Sequence, residues 1–316
     1  MIIRTFQPTD ADTQAAIYNA AAGRLPGFKS ATAEEVRRRT SASGFDPGTR
    51  FYAEDDGTVV GYCAFDADTG RVSYPWCRPG HEKLAYQLFG AVIAAMAHRG
   101  IERAFAAYRA EWADQLEFFE DQGFAKARDV VNFTQSITDL PTMFQRPGLN
   151  VTVVKPSDLP AIAALSPGVL RLVGTDLAEY FLKNPKFAAD AVFVLRHRDS
   201  TPKAVGVMID DPAYAPVEAI DPKMPCFRFG AFGTEGLSTK RVNGLFGFLC
   251  APGKEAELVG QDLLWYATSR METNSFDSLA AQAPTDAPHL LRFFERYFRK
   301  QGSFPVYERE VGLVGG

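Results

Sequence analysis

Apolar and polar positions alternate along this chain in short blocks of two different periods. Ile2-Ile3-Arg4-Thr5-Phe6 has the composition of a short strand, and the polar Pro8-Thr9-Asp10 before an alanine-rich stretch predicts a helix with Thr9 or Asp10 as its N-cap. Thr32-Ala33-Glu34-Glu35-Val36 predicts a second helix start, capped by threonine, with acidic residues in the first turn where the helix dipole favours them. Arg50-Phe51-Tyr52-Ala53-Glu54, the turn Asp55-Asp56-Gly57 and Thr58 to Phe65 then spell a hairpin. In Tyr74-Pro75-Trp76 the proline cannot donate to a sheet ladder, which predicts a bulge or a splayed strand edge. A strand ending at Cys77 leads through Pro79-Gly80 into a long helix, another strand ends near Tyr108, and Leu116-Glu117-Phe118-Phe119-Glu120 lies on a further helix.

The same series of signals then recurs. Val151-Thr152-Val153-Val154-Lys155 followed by Pro156-Ser157-Asp158 repeats the opening, and Ala191 to Leu195, a polar turn and Ala204 to Ile209 repeat the hairpin. Cys77-Arg78-Pro79-Gly80-His81-Glu82 and Cys250-Ala251-Pro252-Gly253-Lys254-Glu255 share the string C-x-P-G-x-E, and Leu291-Arg292-Phe293-Phe294-Glu295 matches Leu116 to Glu120. Landmarks preserved in order are what duplication leaves behind. The second copy is longer between its hairpin and its C-x-P-G turn, and the Pro/Gly-bounded stretch from Asp211 to Gly247 holds the excess.

The strand, P-G turn and helix suggest a chemistry. The first N–H groups of a helix have no partner inside it and sit at its positive end, so an anion fits there, held by backbone where small residues allow close approach. The candidate positions are Arg78, His81, Glu82, Lys83, Leu84, Ala85, Tyr86 and Gln87 in the first copy, and Lys254 and Gly260 in the second. Many such elements in α/β proteins bind nothing. Main-chain groups beside Cys77 and Cys250, at the ends of the matching strands, are candidates to hold a ligand. Neither cysteine has a histidine predictably paired with it, so both read as small buried hydrophobes rather than nucleophiles.

In this order of elements the chain resembles the GNAT superfamily of acyl-coenzyme A dependent acyltransferases, most clearly in Arg50 to Tyr62 and in Phe118-Phe119-Glu120-Asp121-Gln122-Gly123-Phe124. The resemblance implies an α/β (α+β) protein of two tandem GNAT-like domains, 1–140 and 151–316, joined by a linker at 141–150, each a mixed, mostly antiparallel sheet flanked by helices. It further implies transfer of an acyl group from acetyl-CoA to an amine, on a small molecule or a peptide, with the pyrophosphate on a Q/R-x-x-G-x-G/A loop. Glu82, Ala85 and Gln87 stand at the marked positions of that loop in the first copy, and Glu255, Leu258 and Gly260 in the second, so an acidic residue replaces Gln or Arg in both. The tyrosine that serves many members as proton donor to the leaving thiolate is Phe119 in one copy and Phe294 in the other, and a phenyl ring has no proton to give. Tyr108 as acid and Glu111 as base, at the end of the strand after the long helix, are the substitutes the first copy offers. These departures keep a second class open, a non-catalytic module that binds a small molecule or a partner. The sequence leaves the acceptor and the working half open.

Composition narrows the surroundings. The 316 residues are about twice a usual domain, with 46% hydrophobic, 23% charged and 25 phenylalanines to fill more than one core. A net charge of −4 gives no field for nucleic acid or anionic lipid, and Arg37-Arg38-Arg39 fits a solvated helix face. No secretory signal and no apolar run long enough to span a membrane stand out, and four cysteines without C-x-x-C spacing fit a reducing cytoplasm. Four scattered histidines predict no metal site.

Overall fold

The computed structural model describes residues 2–28, 30–41, 45–67, 70–140, 146, 148–166, 169, 175–183, 187–209, 242–270 and 278–312. The chain divides into two compact units, Met1–Ala127 with Pro305–Gly316, and Arg128–Phe304. The division thus falls ahead of the 141–150 stretch expected to separate the domains, and it hands the C-terminal residues to the first unit.

In the first unit β1 (Ile2–Thr5), β2 (Arg50–Asp55), β3 (Thr58–Ala64) and β4 (Trp76–Cys77) form an antiparallel sheet in that order. The β2–β3 hairpin turns through Asp56 and Gly57 at φ 46° and 76°, the conformation a two-residue hairpin with matching twist requires. Helix α1 (Asp10–Ala22) follows β1, but Thr9 makes no side-chain cap; Asp10 instead accepts from Gln7 N–H at 2.6 Å and is gripped by both Nη atoms of Arg4. Helix α2 (Ala33–Thr40) has the full reciprocal cap, Thr32 with Glu35. Helix α3 (Ala85–His98) lays Leu88, Phe89, Val92 and Met96 on the sheet, at the spacing of one buried helix face. Strand β5 (Arg103–Ala107) and helix α4 (Ala113–Asp121) follow, with Phe118 and Phe119 joining the same core. The partner of β5 comes from far along the chain: Val306–Glu310, the end of the last strand, β12 (Arg299–Glu310), pairs antiparallel with Arg103–Ala107. Tyr307 and Val311 complete this core, and Tyr307 Oη bonds Glu120 at 2.7 Å.

In the second unit the strand order is β6, β11, β10, β9, β8, β7, namely Ala125–Ser136, Ser278–Pro284, Val242–Cys250, Pro202–Ile209, Val192–Arg196 and Val151–Val153. Only β10 and β11 pair in parallel among these described ladders. Helices α5 (Leu159–Leu165), α6 (Thr175–Leu182), α7 (Ala256–Ser269) and α8 (Pro288–Tyr297) complete the unit, whose core gathers Phe193, Phe246, Phe248, Phe293 and Phe294. Most of the excess stretch from Asp211 to Gly247 lies outside the described residues.

The duplication is legible in one small device. Asp158, at the position of Asp10, accepts from Lys155 N–H at 2.8 Å and is held by both Nη atoms of Arg196, bonds of 2.8–2.9 Å. In the first unit the arginine is supplied by β1 and in the second by β8, so the buried carboxylate is retained while its partner has moved. Each unit is a mixed α/β structure whose sheet is mostly antiparallel.

Candidate active site

The first unit opens where the sequence put a proline. Val72 N–H donates to Phe105 C=O (2.9 Å) and Phe105 N–H to Gly70 C=O (3.0 Å), a short parallel contact between the approach to β4 and β5. Beyond it the two strands belong to different sheets. Arg78 N–H returns to Val60 C=O at 2.7 Å and Trp76 lies opposite Tyr62, so by strand alternation the N–H and C=O of Cys77 point away from β3, toward the opening.

Tyr108, just past the end of β5, reaches across: its hydroxyl accepts Tyr74 N–H at 2.5 Å. Its ring stacks on Trp112 and Phe119, with centroids 5.8 and 5.6 Å away. Burial, above all other causes, pushes its phenol well above the ordinary tyrosine value. Glu111, the expected base, is exposed and paired with Arg109 at 3.2 Å, on the loop that leads away to α4. Trp112 Nε1 donates to Pro26 C=O at 2.9 Å, tying that loop to the segment after α1. Gln115, a polar residue one turn before Phe118 and Phe119 on the buried face of α4, belongs to no motif, and its polarity at a core-facing position is the signal it leaves in the sequence.

At the start of α3 the structure sorts the remaining candidates. Gly80 takes φ 92°, and its N–H donates to Glu82 Oε1 at 2.9 Å, so the acidic residue caps the turn. That bond to Gly80, with a second from its own N–H, holds the Glu82 carboxyl below its ordinary value. Lys83, Tyr86 and Gln87 are exposed; Leu84 and Ala85 pack into the core. Arg78 turns back along β3, Nε to Val59 C=O at 3.3 Å. His81 heads the turn, its Nδ1 buried without a hydrogen-bond partner. Burial lifts the Cys77 thiol to about 11, so it stays protonated and is no nucleophile near neutrality.

The corresponding place in the second unit is filled from within. Parallel pairing of β10 with β11 ends at Leu245 and Ala280, yet the Cys250 carbonyl at the far end accepts from Ser166 Oγ at 2.9 Å and lies 3.2 Å from Nε2 of buried His289. Burial lowers the His289 pKa and lifts the Cys250 thiol to about 12. Lys254 is exposed, and Glu255, the counterpart of Glu82, is bound to Lys203 Nζ at 2.6 Å. Gly260, expected to admit a phosphate, lies one turn into α7 against the rings of Phe293 and Phe248, where any Cβ would collide. Its smallness serves packing. Among the described residues there is no group of three metal-ligating side chains, and no helix is long and apolar enough to cross a membrane.

No family model matches the sequence, and no curated protein matches it. Solved structures do match. A GCN5-related N-acetyltransferase from Sphaerobacter thermophilus aligns over 98% of this chain and 95% of its own, with TM-score 0.62 and 15% identity. A GCN5-related glucosamine N-acetyltransferase region of a fungal multi-domain GH3 beta-N-acetylglucosaminidase aligns over 98% of this chain and 38% of that one, with TM-score 0.61 and 12% identity. A tandem GNAT protein from the clavulanic acid biosynthesis pathway aligns over 98% of both chains, with TM-score 0.52 and 11% identity. From end to end, the fold of this chain is the GNAT fold of N-acetyltransferases, written twice.

Proposed function

We propose that this protein is an acyl-coenzyme A dependent N-acyltransferase whose first unit carries the reaction, with acetyl-CoA as donor and an amine on a small molecule or peptide as acceptor. The observation that carries the proposal is the opening between β4 and β5, edged by outward-facing main-chain groups of Cys77 and by the Tyr108 hydroxyl. An extended thioester-bearing arm suits such an edge, because its amides can complete the hydrogen bonds that β4 lacks on that side. The amine nitrogen would attack the thioester carbonyl, the C–S bond would break, and the electron pair would leave on sulfur. The Tyr108 phenol, pushed far up by burial, holds its proton throughout the physiological range. Its fitting role is therefore to donate a hydrogen bond to the departing sulfur, while the proton shed by the amine passes to water. Glu111 remains as a base only if it leaves Arg109. Acyl transfer by direct attack needs positioning more than a covalent enzyme intermediate.

The second unit supports the choice of the first. Its equivalent strand end has its carbonyl taken by Ser166 and His289, and Gly260 has no room to spare.

One observation favours a second reading, a non-catalytic binding module: the Glu82 carboxylate lies on the Gly80 N–H, where a pyrophosphate would need positive potential. Calorimetric titration with acetyl-CoA, followed by thiol release in the presence of a panel of primary amines, separates the two. The acyltransferase reading expects one equivalent of acetyl-CoA per chain and amine-dependent thiol release. Absence of binding at millimolar acetyl-CoA would remove it.

A further inference from the structure

Gln115 stands on the first turn of α4 with only 7% of its surface exposed. Its side-chain amide hydrogen-bonds the Tyr74 hydroxyl, yet its Oε1 is buried and has no hydrogen-bond partner. Native proteins leave few buried acceptors in that condition, and such an exception calls for a cause. Packing does not supply one. Phe118 and Phe119, one turn further on, continue the same face into the core, and an apolar residue at 115 would extend it at lower cost. The placement is specific as well: Tyr74 lies just ahead of β4 and its N–H bonds the Tyr108 hydroxyl, so the residue that Gln115 touches stands at the edge of the opening.

We infer that Gln115 Oε1 accepts an N–H of the ligand entering the opening between β4 and β5. Two sources carry that chemistry, an amide of the donor's arm and the amine of the acceptor. The inference rests on the acyl-transfer reading above and gives that site a positioning residue which neither the P-G turn nor Tyr108 supplies.

The test compares wild type, Gln115→Leu and Tyr74→Phe, all with thermal melts to establish folding. Tyr74→Phe removes the internal bond of the amide while keeping Oε1 in place. Acetyl-CoA is titrated calorimetrically, and KM is measured for an amine that the wild type acylates. Gln115→Leu weakens acetyl-CoA binding about tenfold if the donor arm is the source, or raises the amine KM about tenfold with acetyl-CoA binding unchanged if the acceptor is. Tyr74→Phe stays within about twofold on both. If Gln115→Leu changes neither quantity, or if Tyr74→Phe loses as much, the inference is overturned. Where no amine in the panel turns over, the acyl-transfer reading fails and this inference with it. A wild-type protein that binds no acetyl-CoA removes the acyl-transfer reading first and this inference with it, a result distinct from a silent substitution in a protein that binds.

Discussion

Replacing Gly260 with alanine puts the packing account of the second unit to a direct test. An ideal Cβ at this position would sit 2.6 Å from both Cδ2 and Cε2 of Phe293 and 2.8 Å from Cζ of Phe248. Nonbonded carbons rest at about 3.5–4.0 Å, so the rings must withdraw by about an ångström. They have little freedom to do so. The two rings meet edge to face at 4.9 Å, and Phe293 also packs on Phe294 at 5.2 Å and on Tyr297 at 4.9 Å. Against this stands the intrinsic gain of alanine over glycine in a helix, about 1 kcal/mol. Overpacking of a filled core costs about 1–3 kcal/mol, and engagement of two buried rings puts this site in the upper half of that range. The net expectation is a loss of about 1–2 kcal/mol, which lowers Tm by about 2–8 °C in a unit of this size. Differential scanning calorimetry reads the shift, and titration with acetyl-CoA reads the other half of the argument, which expects unchanged affinity. A Gly260→Ala protein that melts at or above the wild-type temperature would show that the helix gain wins and refute the packing account. Lost acetyl-CoA binding at undiminished stability would return Gly260 to a ligand site.

Four further outcomes are expected. Asp158→Ala should destabilise by about 2–4 kcal/mol at pH 7, as the two buried partners are separated. Because the Arg196 guanidinium holds Asp158 below its ordinary value, that stabilisation is present above the ordinary carboxylate pKa and is lost as pH falls through the lowered one. Urea midpoints of wild type and variant should therefore converge below about pH 4. Tyr108→Phe should cut amine-dependent thiol release about 10–100-fold while acetyl-CoA still binds; full activity would remove Tyr108 from the reaction. Residue-resolved mass spectrometry after iodoacetamide at pH 7.5 should find Cys63, Cys77 and Cys250 unmodified in the native protein, since burial lifts them to about 12, 11 and 12. Glu82→Gln should tighten acetyl-CoA binding, by a factor that shrinks as salt is raised; weaker binding would mean that the Gly80 cap orders the turn for the ligand.

What could be read from the chain was local. The Thr32–Glu35 cap, the Asp56-Gly57 hairpin, the opening at Pro75 and the two Phe-Phe-Glu helices each follow from a few neighbouring residues, and the order of such elements carried the tandem fold. Strand partners were not readable. Arg103–Ala107 and Val306–Glu310 are both short apolar-polar runs, and nothing in either names the other. Glycine was ambiguous for a related reason: a site that lacks a Cβ looks the same in sequence whether a phosphate or a phenyl ring fills the space, and for Gly260 it is the ring. The glutamates after the P-G turns were legible as a departure, but not their different fates, Glu82 on its own backbone and Glu255 on Lys203.

The partner that the last strand provides for β5 also fixes an order of events during synthesis. Residues 128–304 form a contiguous unit that can close as soon as it has left the ribosome, whereas the earlier-made residues 1–127 must wait for 305–312 before their sheet edge at Arg103–Ala107 is covered. At cellular elongation rates that wait is about 10–35 s. The half that is translated first is the half that is finished last, and a chain cut short before residue 305 leaves β5 without its antiparallel partner.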